Sequence, residues 1–170
     1  MDGNERREKL LQILISSDKP VSGSELSSIL GVSRQVIVQD IALLRVSNND
    51  IISTTKGYML YRSDDKKVRR VINVKHSTDA IEDELCTIVD NGGKVLDVHV
   101  IHEIYGRIMT DLIIRNRNDV YDFVKQVKEK KIVPLKELTA GAHRHTIEAD
   151  SEETLDKIEE ALRMKNYLID

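Results

Sequence analysis

The 170-residue sequence predicts an α+β protein of two domains. Residues 1–62 read as three short helices and a hairpin. Residues 68–170 read as an open-faced sandwich of order β-α-β-β-α-β-α. Three observations carry this. Apolar residues recur at helical spacing up to the first hairpin-like run. A charged stretch, RSDDKKV at 62–68, then interrupts the pattern. Beyond it, strand-like and helix-like runs follow in an order that gives an antiparallel-dominated sheet with its helices on one face.

In chain order, ERREKLLQILIS (5–16) carries Leu10, Leu11, Ile13, Leu14 and Ile15 at mostly helical spacing, and SDKP stops it. Ser22 and Glu25, three residues apart, form a capping-box pattern ahead of Leu26, Ile29 and Leu30. Gly31 suits the left-handed end of that helix. Ser33 caps RQVIVQDIALLR, whose inward stripe is Ile37, Ile41 and Leu44. IISTTKGYMLY then reads as two strands joined at Lys56–Gly57. Helix, helix, tight turn, helix, hairpin is the winged helix-turn-helix pattern, and the turn LGVSR is its most specific part. Such a module presents the start of its third helix to the major groove. Ser33, Arg34, Gln35, Val38 and Gln39 are the candidate DNA-contacting residues there, with Lys56 in the wing. Arg and Gln read guanine and adenine edges, and Val touches a thymine methyl. Arg6, Arg7 and Arg45 are, with Lys56, candidate phosphate contacts.

Composition narrows the class. Apolar content of 40% with 32% charged residues suits a folded soluble chain. No apolar run approaches the roughly 18–20 residues of a membrane span, and the charged N-terminus has no signal-peptide character. The single cysteine, Cys86, excludes an internal disulfide and fits a reducing, cytoplasmic setting. It lies off the inner stripe of its helix with no basic neighbour in sequence, so it does not read as a nucleophile. Net charge is −3, so nucleic-acid binding must come from a local surface.

In the second half the expected elements are a strand at 69–76, helix 78–91, strands 94–102 and about 106–114, helix 117–130, a loop with Pro134, strand 143–149 and helix 151–166. Strand parity directs the histidines. His76 shares a face with Ile72 and Val74, the more apolar set, which should face the helices. His143 and His145 share a face with Ile147 and Ala149, whereas Arg144, Thr146 and Glu148 make up the other. The first and last strands of such sheets are commonly neighbours, so three imidazoles are expected to converge. A carboxylate from the helix after His76 is the fourth candidate: Glu82 and Glu84 flank the Ile81, Leu85, Ile88, Val89 stripe on opposite sides, and periodicity does not choose between them. Three His and a carboxylate suit Zn²⁺, Ni²⁺, Fe²⁺ or Mn²⁺. His99 and His102 have opposite parity and cannot both join. His99, on the face of Asp97, is expected to face solvent or an interface.

A winged helix-turn-helix followed by VKH, DVHVIHEIYG and HRHTIEA resembles the NiaR family of nicotinate-responsive transcriptional repressors, over residues 5–167. The second half looks like its 3H domain. The resemblance implies a homodimer that represses genes of NAD biosynthesis and niacin uptake from double-stranded DNA, with nicotinic acid as co-repressor. It implies an HPr-like sandwich and a metal site of His, Glu, His and His. Carried over, these are His76, Glu84, His143 and His145, and the pattern selects Glu84 over Glu82. Val38 and Gln39 stand where related recognition helices often have arginines. His99, His102 and Tyr105 are candidates for further contacts to the effector. An inverted-repeat operator follows from two-fold symmetry.

The competing class is a metalloenzyme, of hydrolase or dioxygenase type, fused to a DNA-binding module. A catalytic metal keeps a position open for water or substrate. The sequence has no Ser/His/Asp order and no phosphate-cradling Gly loop, which favours the non-enzymatic repressor.

Overall fold

The computed structural model describes residues 1–47, 50–61, 66–130 and 133–170. The chain divides into two compact units, Met1–Ser63 and Asp64–Asp170. Most of the expected charged linker falls on residues 62–65, outside the described residues.

The first unit contains α1 (Gly3–Ser16), α2 (Gly23–Leu30), α3 (Arg34–Ser47), β1 (Ile51–Thr54) and β2 (Gly57–Leu60). Its core is Leu10, Leu14, Leu26, Ile37, Ile41 and Leu44, with Val21, Leu30 and Ile51 around them. Each helix end follows its residue chemistry. The Ser22 hydroxyl accepts the Glu25 backbone N–H, and Gly31 closes α2 at φ 67°. The Ser33 hydroxyl accepts the Val36 N–H at 3.3 Å. The wing pairs Thr54 with Gly57, so its turn is Thr55–Lys56 rather than Lys56–Gly57. Gly57 begins β2 because Val21 pairs with Tyr58 across it. At φ 148°, a Cβ on Gly57 would lie 2.3 Å from the Val21 carbonyl oxygen.

The second unit contains β3 (Val68–Lys75), a 3₁₀ turn (Thr78–Ala80), α4 (Ile81–Asp90), β4 (Lys94–His102), β5 (Gly106–Ile114), α5 (Arg117–Glu129), a second 3₁₀ turn (Leu135–Thr139), β6 (Ala142–Ala149) and α6 (Glu152–Met164). That second turn occupies what the sequence reads as loop. Its strands run β5-β4-β6-β3, with all three pairs antiparallel. The first and last strands of the unit are neighbours, Ile72 opposite His145 and Val74 opposite His143. Ile72, Val74, Ile147 and Val98 pack with Leu85, Ile88, Ile158 and Leu162 from the helices. The tail closes the outer edge of β3: Lys75 N–H donates to the Tyr167 carbonyl, and Ile169 N–H to that of Asn73.

Two expectations are corrected. Cys86 is buried in the core, because α4 packs against both α5 and α6 and is covered on more than one face. Burial pushes its thiol pKa up. His99 is buried rather than solvent-facing. It sits on an interior strand between Met109 and Arg144, and its Nδ1 lies 3.1 Å from the Asp97 carboxylate.

Candidate metal centre and nucleic-acid interface

His76 ends its strand, and the turn Thr78–Ala80 reverses the chain into α4. Glu84, one turn into α4, is carried back over His76. On the neighbouring strand, parity places His143 and His145 on the same side. Their Nε2 atoms surround one carboxylate: His76 at 2.7 Å and His143 at 3.6 Å from Glu84 Oε2, and His145 at 3.3 Å from Oε1. The four side chains are at most 4% exposed. Adjacent rings meet edge to face with centroids 4.8 Å apart.

The other ring nitrogens define the chemistry. His76 Nδ1 lies 2.8 Å from the Ser77 carbonyl oxygen, His143 Nδ1 2.9 Å from that of Gly141, and His145 Nδ1 2.7 Å from that of Asp97. A carbonyl only accepts, so each Nδ1 must carry the proton. In the neutral rings each Nε2 therefore presents a lone pair. Three lone pairs and a carboxylate face one another, and Glu84 Oε1 is buried without a hydrogen-bond donor among the described residues. Such a donor set needs positive charge. Burial pushes Glu84 towards a higher pKa, but the charge on His145 and its contacts with all three rings hold it well below the usual carboxylate range. Burial lowers His143, against the opposing pull of Glu84. At His145 burial is outweighed by the Glu84 charge, and the pKa is raised.

These residues fit a divalent ion. Ligand nitrogens and oxygens at about 2.1 Å from an ion lie roughly 3–4 Å apart; the His76, Glu84 and His143 ligand atoms all lie within 4.8 Å of one another. Imidazoles that donate their second N–H to carbonyls are the usual arrangement around such ions. Glu82 takes no part among the described contacts.

Several supporting groups have no sequence signal. The Asp97 carbonyl reaches His145 because the β4–β6 register is irregular between Val95 and His99, and a bulge re-aims backbone groups. There the Asp97 carboxylate also accepts the Thr146 N–H at 3.1 Å. Buried Lys136 donates to the His76 carbonyl at 3.2 Å. Tyr167 packs its ring edge on His76 at 5.3 Å and donates to Asp83 at 2.7 Å. Burial and that bond push its pKa up to about 12.

His99, His102 and Tyr105 are not gathered at this centre. His102 and Tyr105 stack at 4.8 Å at the β4–β5 turn, where His102 Nδ1 accepts two backbone N–H groups at 3.2 Å. Tyr105 is 75% exposed.

In the first unit, Ser33, Arg34, Gln35, Val38 and Gln39 are all exposed, opposite the Ile37, Ile41 and Leu44 stripe. Arg34 folds back beside Gly23 and, with half-buried Lys56, lines a crevice of about 190 Å³ between the start of α2 and the wing. The arginines considered for phosphate behave otherwise. Arg6 Nε and Arg7 Nη1 bind buried Asp40 at 2.6 and 3.4 Å. Arg45 donates to the Ile51 carbonyl at 3.0 Å and the Ser53 hydroxyl at 2.5 Å. All three hold the unit together through partners distant in sequence or across the α3–β1 junction.

A winged unit with a solvent-facing third helix, joined to a sheet unit with a buried imidazole cluster, has the layout of a DNA-binding protein with a second, separate domain. Comparisons with known proteins agree. Residues 6–59 match the HTH domain and residues 69–170 the 3H domain. The chain is 42% identical over 166 residues to the probable transcription repressor NiaR of Thermotoga maritima, covering 98% of this chain and 94% of that one. It is 37% identical over 170 residues to the transcription repressor NadR of Bacillus subtilis, with the same coverage. The chain belongs to the NiaR family of transcription repressors.

Proposed function

We propose that this DNA-binding repressor is a nicotinate-responsive regulator of NAD biosynthesis and niacin uptake genes. It acts in the cytoplasm as a homodimer on an inverted-repeat operator, with a divalent transition metal in the 3H domain. One observation carries the regulatory half of the reading. Three imidazoles with their Nδ1 protons committed to carbonyls aim their Nε2 atoms at a buried carboxylate with an orphaned oxygen. A divalent ion held there would supply the missing charge and would act as a Lewis acid towards a nitrogen or carboxylate donor of a ligand.

His76, Glu84, His143 and His145 would hold the ion. Ser77, Gly141 and Asp97 fix the ring orientations through their carbonyls. Ser33, Arg34, Gln35, Val38, Gln39 and Lys56 face the operator. The site is a binding site, not a catalytic one. A ligand shifts an equilibrium only by its differential affinity for two states. Nicotinic acid must therefore bind the DNA-competent arrangement of the dimer more tightly, and operator must tighten nicotinic acid by the same factor. Calorimetric titration of nicotinic acid into metal-loaded protein, with and without chelator, tests the reading. Binding without turnover that disappears with chelator supports it. Conversion of nicotinic acid to a product would establish the metalloenzyme instead.

A further inference from the structure

The sheet of the second unit splits at one end. β4 and β6 are partnered only as far as His99 opposite Arg144. Beyond that point β6 stays with β3 to Ala142 opposite Lys75, and β4 stays with β5 to His102 opposite Gly106. A crevice of about 180 Å³ lies in the split. By strand parity Asn73 and Arg144 belong to the face away from the helices and His143 to the helix face, and all three line the crevice. Val100, Ile101 and Ile169 give it apolar walls.

Three of its groups lack partners. The Asn73 side-chain oxygen is buried with no donor among the described residues. The Arg144 guanidinium has no ion pair or hydrogen bond among the described residues. Asp170 lines the same crevice and makes no ion pair among the described residues. His143 belongs at once to this wall and to the Glu84 cluster. Crevices for drug-sized ligands run to roughly 300–1,000 Å³, so this one is scaled for a single ring.

We infer that this crevice is the effector subsite, taking a small aromatic carboxylate with Arg144 as the anchor for its charge. The ring lies between Val100, Ile101 and Ile169 and turns its other edge towards His143. Guanidinium suits this task because its planar fork matches a carboxylate with two parallel hydrogen bonds. Asp170 supplies a carboxylate of the chain's own at the same place and competes with the ligand for Arg144. The inference rests on the nicotinate reading above and assigns residues to it.

The test uses full-length, nickel-loaded protein titrated calorimetrically with nicotinic acid, nicotinamide and benzoate. The unmodified chain should bind the acid better than the amide, which lacks the charge. Arg144→Gln should weaken nicotinic acid roughly 10–100-fold and erase the preference for acid over amide, with nickel affinity unchanged. Arg144→Lys should recover part of the loss. Asp170→Asn should tighten nicotinic acid. If the unmodified chain binds nicotinic acid and both Arg144→Gln and Asp170→Asn bind it equally well, the crevice is not the subsite and the nicotinate reading survives. If the unmodified chain does not bind nicotinic acid at all, that reading falls and this inference falls with it.

Discussion

Replacing Glu84 by Gln separates what the carboxylate does for a metal from what it does for the fold. The substitution keeps the shape and removes the charge. In metal-free protein the buried, donorless Oε1 is a cost of the kind worth about 1–3 kcal/mol. The amide that replaces the carboxylate donates to imidazole lone pairs that now lack a proton, which offsets the lost attraction to His145. Glu84→Gln in chelator should therefore melt within about 4 °C of the parent, near 1 kcal/mol for a domain of this size. With metal the two diverge. At a free ion concentration 100 times Kd, binding stabilises the parent by about 2.7 kcal/mol, or about 10 °C. Removing even a partner of a ligand costs roughly 10–100-fold in affinity, and loss of an anionic ligand costs no less. A 100-fold loss leaves the ion near its Kd, worth about 0.4 kcal/mol and 1–2 °C. Scanning calorimetry with nickel or zinc against chelator reads both effects. A Glu84→Gln variant that keeps the full metal-dependent rise, or a parent that shows none, refutes the reasoning.

Three further outcomes are expected. Arg34→Ala and Gln35→Ala should each cost about 1–3 kcal/mol of operator binding and relax sequence preference; fluorescence anisotropy on operator and random duplexes checks this, and unchanged affinity for both removes the assignment. Gly57→Ala should destabilise the winged unit by about 1–3 kcal/mol, since its Cβ would meet the Val21 carbonyl at 2.3 Å; a parent-like thermal melt would contradict that packing. Metal affinity should be full above the raised pKa of His145 and should fall as pH drops through it, because the ion needs the neutral ring; calorimetry in buffers of different ionisation enthalpy should find a proton released on binding below that pKa and none above it.

The sequence made the winged unit and the order of the second unit legible because caps, Gly31 and apolar periods are local signals. Parity alone placed His76, His143 and His145 on one face, and their meeting needed only that the first and last strands be neighbours, as Ile72 and Val74 opposite His145 and His143 show. What escaped is tertiary. Glu82 and Glu84 flank the α4 stripe alike, and only the position of α4 over His76 separates them. Arg6 and Arg7 look like free cations until Asp40, more than thirty residues on, is seen between them. The Ser77, Gly141 and Asp97 carbonyls have no side-chain identity to read, and the irregular register that presents Asp97 leaves no mark in the pattern. Cys86 and His99 are buried for one reason: parity and helical period report one face, whereas α4 packs against both α5 and α6 and β4 is paired on both edges.

The central claim is that the imidazole cluster couples the effector to DNA. It is tested most directly by operator affinity of the full-length chain, measured with and without nicotinic acid, in metal and in chelator, for the parent and His145→Ala. The account predicts that nicotinic acid tightens operator binding roughly 5–150-fold in the metal-loaded parent. That gain should vanish in chelator and in His145→Ala, while affinity without effector stays nearly constant. The same tightening by nicotinic acid in chelator, or in His145→Ala, would contradict it.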